Sequence, residues 1–227
     1  NGMDGVAGLT QEPAPPGGSF DYRFTPPDAG TFLVRPLVIR MSAEALERGL
    51  AAALIVEERE PLAVDHDHVL VVDDWRLNED GSLTPFGDPL EAATGGRLGN
   101  WLAVNGAEAP QRIEAAPGAR LRLRLVNASN ARSTRIRFDT VKAYVVAVDG
   151  QPTDTFEPLR STLPFSPGNR YDLLVDLPAE AGPEGRITAL IGPGLPLASF
   201  ATAGAPVERP PPPRLAENRL LPPAIRL

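Results

Sequence analysis

An all-β fold, a Greek-key β-sandwich, is the class this sequence predicts, and three observations carry the prediction. From Arg120 to Leu125, Arg120, Arg122 and Arg124 alternate with Leu121, Leu123 and Leu125. That period of two belongs to a strand with one face on a core and the other toward water. Turn formers are abundant: 21 glycines and 26 prolines in 227 residues favour many bends over long helices. Short alternating runs also recur between Asn-Gly, Pro-Gly and Asp-Gly pairs, at the spacing of a sandwich.

In chain order, Pro15 to Pro26 (PPGGSFDYRFTP) reads as a turn followed by a strand. Ser42 to Gly49 predicts the one helix, with Ser42 as its cap, Glu44 in the first turn and Gly49 closing it. Ala51 to Glu57 (AAALIVE) reads as a buried strand, and the polar stretch Glu58 to Pro61 as a domain boundary. Val64 to Trp75 opens a second unit as a strand, and Leu77 to Gly99 is a polar, glycine-rich excursion over the surface. Strands follow at Asn100–Val104, Gln111–Ala115, Leu121–Val126, Thr134–Phe138, Ala143–Val148, Arg170–Val175 and Ile187–Ile191, with a hairpin turn at Asp149-Gly150. The turn-then-strand pattern of Pro15 to Pro26 recurs at Ala116 to Asn127 and Ser166 to Pro178, which suggests duplicated sandwich units. From Ala203 onward the prolines Pro210 to Pro213 favour an extended linker or tail outside any core. The expected division is residues 1–60, 61–200 and 201–227.

Composition narrows function mainly by exclusion. A net charge of -7 argues against a polyanionic partner such as nucleic acid. No run of about 18 apolar residues is present to span a membrane. With no cysteine there is no disulfide, thiolate ligand or thiol nucleophile. The chain opens on Asn1-Gly2-Met3-Asp4-Gly5, which reads as the middle of a loop, so a processed or truncated protein is expected, with room for an export signal upstream of the residues given.

Residue types that carry chemistry are few. His66 and His68 are the only histidines, two apart on a predicted strand and so on one face. Joined by Asp65 or Asp67 they would make a partial copper or zinc site, but without a third ligand they read as the polar start of a strand. Asp73 and Asp74 are adjacent and point to opposite faces, so they read as solvated aspartates at a strand end beside a packed Trp75. Asn127-Ala128-Ser129 matches a glycosylation sequon, but it closes a strand. The arginine stripe reads as a solvated face or as an interdomain surface paired with acidic neighbours. On this reading Leu123→Asp unfolds the second unit and Arg122→Ser is nearly neutral. No phosphate-binding loop, serine elbow or His-Glu-x-x-His motif occurs.

Several stretches together resemble the laccase-like multicopper oxidases, a family of tandem cupredoxin domains. They are Asn1 to Phe32, Ala52 to Glu58 with Val69 to Leu77, Val104 to Gln111 with Pro117 to Arg132, and Ala147 to Thr153 with Pro167 to Pro178. The resemblance implies a cupredoxin-like sandwich in about two tandem domains: residues 1–60 the late part of a first, 61–200 a whole second, and 201–227 a linker toward a third. It implies copper in the full-length family, and an activity that couples substrate oxidation to reduction of O2. It also implies a periplasmic or secreted location, and a third cupredoxin domain or a neighbouring subunit as partner; a homo-oligomer is admissible. Where the family's second His-x-His motif is expected, after Gly30-Thr31-Phe32, this chain has Arg35 and Leu37, neither of which has a lone pair for copper. No catalytic, cofactor-binding or metal-ligating residue is therefore expected in this chain, and none of the family's copper is expected to be bound by it. The alternative is a copper-free cupredoxin-like protein that acts by binding another protein through its sandwich faces or the Leu77 to Gly99 loop.

Overall fold

Two sheets face each other across one apolar core in the computed structural model, which describes residues 3, 5–38, 41–182 and 184–218. The elements in chain order are β1 (Gly30–Val34), α1 (Ser42–Glu47), β2 (Ala52–Val56), β3 (His66–Trp75), α2 (Pro89–Ala93), β4 (Trp101–Val104), β5 (Ala107–Glu108), β6 (Gln111–Ala115) and β7 (Arg120–Asn127). They continue with β8 (Thr134–Asp139), β9 (Lys142–Val148), β10 (Gln151–Phe156), β11 (Thr162–Phe165), β12 (Arg170–Asp176), β13 (Gly185–Ala189) and β14 (Leu195–Thr202). One sheet runs β10-β9-β12-β7-β3-β4-β5, the other β11-β8-β13-β14-β6, and β1 pairs with β2 in a small sheet of its own.

Most pairings are antiparallel, but β3 with β7 and β14 with β6 are parallel, which requires the chain to cross over between sheets as a Greek-key sandwich does. Leu121, Leu123 and Leu125 of β7 meet Ile136, Ile187 and Phe200 of the opposite sheet in the core. Asn105-Gly106 and Asp149-Gly150 both have positive φ at each residue, the geometry that joins strands of right-handed twist in two residues. The all-β cupredoxin-type sandwich expected from the sequence is borne out.

Local expectations fare unevenly. Pro15 to Pro26 forms no strand: Phe20, Tyr22 and Phe24 alternate, but they are exposed and no described strand lies beside them. Alternation makes a strand only where a partner takes its hydrogen bonds. The strand within Ala51 to Glu57 exists as β2 but is half-buried, because its one partner is β1. The helix starts at Ser42 with no side-chain cap; the Ser42 hydroxyl instead accepts from Val38 N and donates to Val38 O in the preceding turn. Gly49, with φ of 88°, ends it as expected. The surface excursion Leu77 to Gly99 contains a short helix, α2, capped by Asp88, and carries Arg97 inward. The strand β14 lies beyond every segment expected; its Leu197, Ala198 and Phe200 are buried.

The largest departure concerns β7, where all eight residues are buried, arginines included. Thr31 of β1, Glu58 and chain around Leu62, Val64 and Leu215 lie over the outer face of this part of the sheet, so β7 itself presents no solvated face. Leu62 and Val64 pack there on Tyr144, Val146 and Leu174, and so does Leu215 from the expected free tail. The tail is further tied by an Arg209–Asp65 ion pair and by Thr155, whose hydroxyl donates to Pro213 O. Positions 219–227 of the expected tail lie outside the described residues.

Candidate functional site

The densest polar cluster sits where β1, Glu58 just beyond the end of β2, and the faces of β3, β7 and β12 converge. Antiparallel register sets Asp172 opposite Arg124 and Asp176 opposite Arg120. Arg122 donates to Glu58 at 2.5 and 2.9 Å and to Asp172 at 2.6 Å. Arg124 donates to Asp67 at 2.8 to 3.1 Å, to the Thr31 hydroxyl at 3.1 Å and to Asp172 at 3.3 Å. Arg120 forks onto Asp176 at 2.6 and 2.7 Å, and Arg170 donates to Thr31 O at 3.0 Å. Guanidinium suits this seam because its planar fork serves two carboxylates at once and stays charged when buried. Burial would raise the Glu58 carboxyl, but the hydrogen bond and charge of Arg122 outweigh it and hold it below the ordinary carboxylate range. The sequence reading of the stripe as an acidic-paired surface holds, and its reading as a solvated face does not.

A second cluster was not legible in the sequence at all. Arg97, 5% exposed, pairs with Glu47 of α1 and Glu91 of α2, donates to Thr84 O and Pro85 O at 3.0 Å, and lies 4.1 Å over the Phe86 ring. It pins the Leu77 to Gly99 loop onto α1. Nothing in local sequence distinguishes Glu47 or Arg97 from surface charges, because their partners lie 50 residues apart.

Asp73 and Asp74 do leave β3 on opposite faces, but neither is a freely solvated aspartate. Asp74 is buried, accepting from Arg132 Nε at 2.5 Å and Gly99 N at 2.6 Å. Asp73 is half-buried and accepts from Asp74 N at 2.8 Å and Trp75 Nε1 at 3.2 Å. Burial pushes the Asp73 carboxyl up to about 7, against those hydrogen bonds and with help from the negative charges of Asp74 and Glu47. An acid whose folded pKa is raised binds more protons folded than unfolded between about pH 4 and 7, so its contribution to stability falls as pH rises through that window. Asp73→Asn should therefore flatten the pH dependence of the urea midpoint from pH 4 to 7 and be relatively most stabilising at pH 7. A wild-type profile equally steep in the variant would refute the assignment.

His66 and His68 share a face, with ring centroids 5.9 Å apart. Asp67 turns to the other face, to Arg124, while Asp65 accepts from Arg120 N and pairs with Arg209. Neither carboxylate joins the imidazoles. Arg35 and Leu37 lie exposed beyond the end of β1, Leu37 at 86%. Asn127 is buried and its amide donates to Arg132 O and Phe165 O, so the sequon is part of the fold. Among the described residues no group of three or more His, Cys, Asp or Glu side chains converges as a metal site. The donor set does not fit the copper centres of an oxidase, which need clustered imidazoles and a thiolate.

Comparison with known proteins gives the frame for these features. Two family models described as multicopper oxidase match residues 1–61 and 66–183. A solved multi-copper oxidase from Pseudomonas thermotolerans is 37% identical, superposes with a TM-score of 0.85, and is matched over 98% of this chain and 53% of its own. Laccase-2 of Cryptococcus neoformans is 29% identical over 77% of this chain and 32% of its own length. Cell division protein FtsP of Proteus mirabilis is 40% identical over 62% of this chain and 30% of its own. The chain spans about a third of the length of these curated relatives and about half of that solved structure. Family models together spanning most of the sequence, with a sandwich that superposes on a multi-copper oxidase along nearly its whole length, establish that the chain belongs to the multicopper oxidase family, as a laccase-like member.

Proposed function

We propose that this chain is the frame of a copper-dependent oxidase that couples substrate oxidation to O2 reduction, and that its role is to fix the separation of neighbouring cupredoxin domains. Residues 1–60 are the late part of a first cupredoxin-like domain, 61–200 a second, and 201–227 the linker toward a third domain or a neighbouring subunit. Family-model matches that end at residue 61 and resume at residue 66 support the boundary between the first two units. The observation that carries the role is the buried seam, in which Glu58 and Thr31 from the first unit are gripped by Arg122, Arg124 and Arg170 of the second. Buried, multiply bonded charges specify one relative placement, since any shift strands a charge away from both partner and water.

Copper supplies the electron transfer in such an oxidase, and on this reading it is held by residues outside the set described here. The location is periplasmic or secreted; among the described residues no helix is long and apolar enough to cross a membrane. Metal analysis of the whole gene product, purified from copper-supplemented cells, tests the reading. Stoichiometric copper with oxidation of a phenolic substrate is expected. A folded, copper-free and inactive product would overturn it in favour of a protein that works by binding.

A further inference from the structure

His66 and His68 open β3 at an uncovered corner of the seven-stranded sheet. β4 pairs with β3 only from Val72 to Trp75, so the half that carries the histidines lies at a free edge. In the parallel register His66 stands beside Leu121 and His68 beside Leu123, so both imidazoles leave the strand on the face of Leu70. Their ring planes are tilted by 34°. His66 is exposed and His68 half-buried, and neither imidazole has a hydrogen bond or ion pair among the described residues.

We propose that His66 and His68 together chelate an exchangeable divalent transition-metal ion, of the copper or zinc class, at the edge of this sheet. Metal–imidazole bonds of about 2.0–2.1 Å put the ion roughly 3 Å from each ring centre, so two rings on one ion need centroids within about 6 Å. The observed 5.9 Å meets that limit before any side-chain adjustment. The i, i+2 spacing on a paired strand holds the two rings on one side with little backbone freedom to lose. Asp65 and Asp67 are committed to Arg209, to Arg120 N and to Arg124, so water completes the shell. Two protein ligands make the ion exchangeable, and imidazole donors rank Cu2+ above Zn2+.

Calorimetric titration of the whole, copper-loaded gene product with Zn2+ tests the assignment, with a parallel Cu2+ titration for the rank order. Wild type should take up one zinc that the His66→Gln/His68→Gln double variant does not, and each single variant should bind it at least about tenfold more weakly. His66 is exposed, so His66→Gln keeps the test decisive even if His68→Gln disturbs folding. A wild-type protein that takes up no such zinc, or a His66→Gln variant that binds it with wild-type affinity, would overturn the proposal.

Discussion

Leu123→Asp will abolish the cooperative unfolding transition of the sandwich and send most of the protein into the insoluble fraction. Leu123 is fully buried at the centre of β7, with Leu173 opposite it on β12. Losing the leucine contacts costs about 2–5 kcal/mol even as the alanine variant. An aspartate there either carries an uncompensated charge, at several kcal/mol, or takes up a proton and still lacks partners for two oxygens. The sum rivals the whole stability of a typical domain, about 5–15 kcal/mol. One polar group stands nearby: His68 is the register neighbour of Leu123 on β3. It is a weak counter-ion, since burial and His66 both disfavour its charged form. Leu125→Asp, flanked by Leu70 and Tyr171, has no basic group in register with it, so the two variants should fail alike. Thermal melts matching wild type for either would mean that the inward face of β7 is wrongly assigned.

That inward face was legible because alternation, turn chemistry and strand spacing are local properties. The Asn105-Gly106 and Asp149-Gly150 turns and the Leu121, Leu123, Leu125 row all follow from a few consecutive residues. The outer face of the same strand was not, because whether Arg122 meets water depends on what crosses above it. Glu58 is 64 residues away, and Asp172 lies 50 residues downstream. Alternation also misled at Pro15 to Pro26, where Phe20, Tyr22 and Phe24 have strand periodicity but no adjacent strand. At β14 the reverse occurred. Leu195 to Phe200 is a short apolar run with a proline at Pro196, and it becomes a strand because β6 and β13 flank it. The histidine pair was visible as a spacing, but the distance between its rings was not.

Arg122→Ser, nearly neutral on the sequence pattern alone, is expected from the seam to cost about 3–5 kcal/mol at pH 7, the usual penalty for breaking a buried ion pair from one side. Arg122 is 2% exposed, and its loss leaves Glu58 and Asp172 facing one remaining guanidinium, Arg124, at 4.0 and 3.3 Å. Asp172→Ala should cost a similar amount for the opposite reason, by leaving two arginines to share Glu58 and Asp67. The pair Arg122→Met with Asp172→Leu should recover part of the loss, because apolar replacement removes both desolvation penalties together. Acid supplies an independent check. Glu58 has its folded pKa depressed, so its contribution is present above the unfolded value near 4.5 and is lost as pH falls through the lower folded value. Arg122→Ser should therefore shrink the acid-side fall in stability of wild type below about pH 4.5. The seam also joins Thr31 and Glu58 to the large sheet, so hydrogen exchange in β1 and β2 should accelerate before exchange in β7 and β12 does. If Arg122→Ser shifts the urea midpoint by less than the equivalent of 1 kcal/mol, the seam does not hold the two units together and the framing role falls with it.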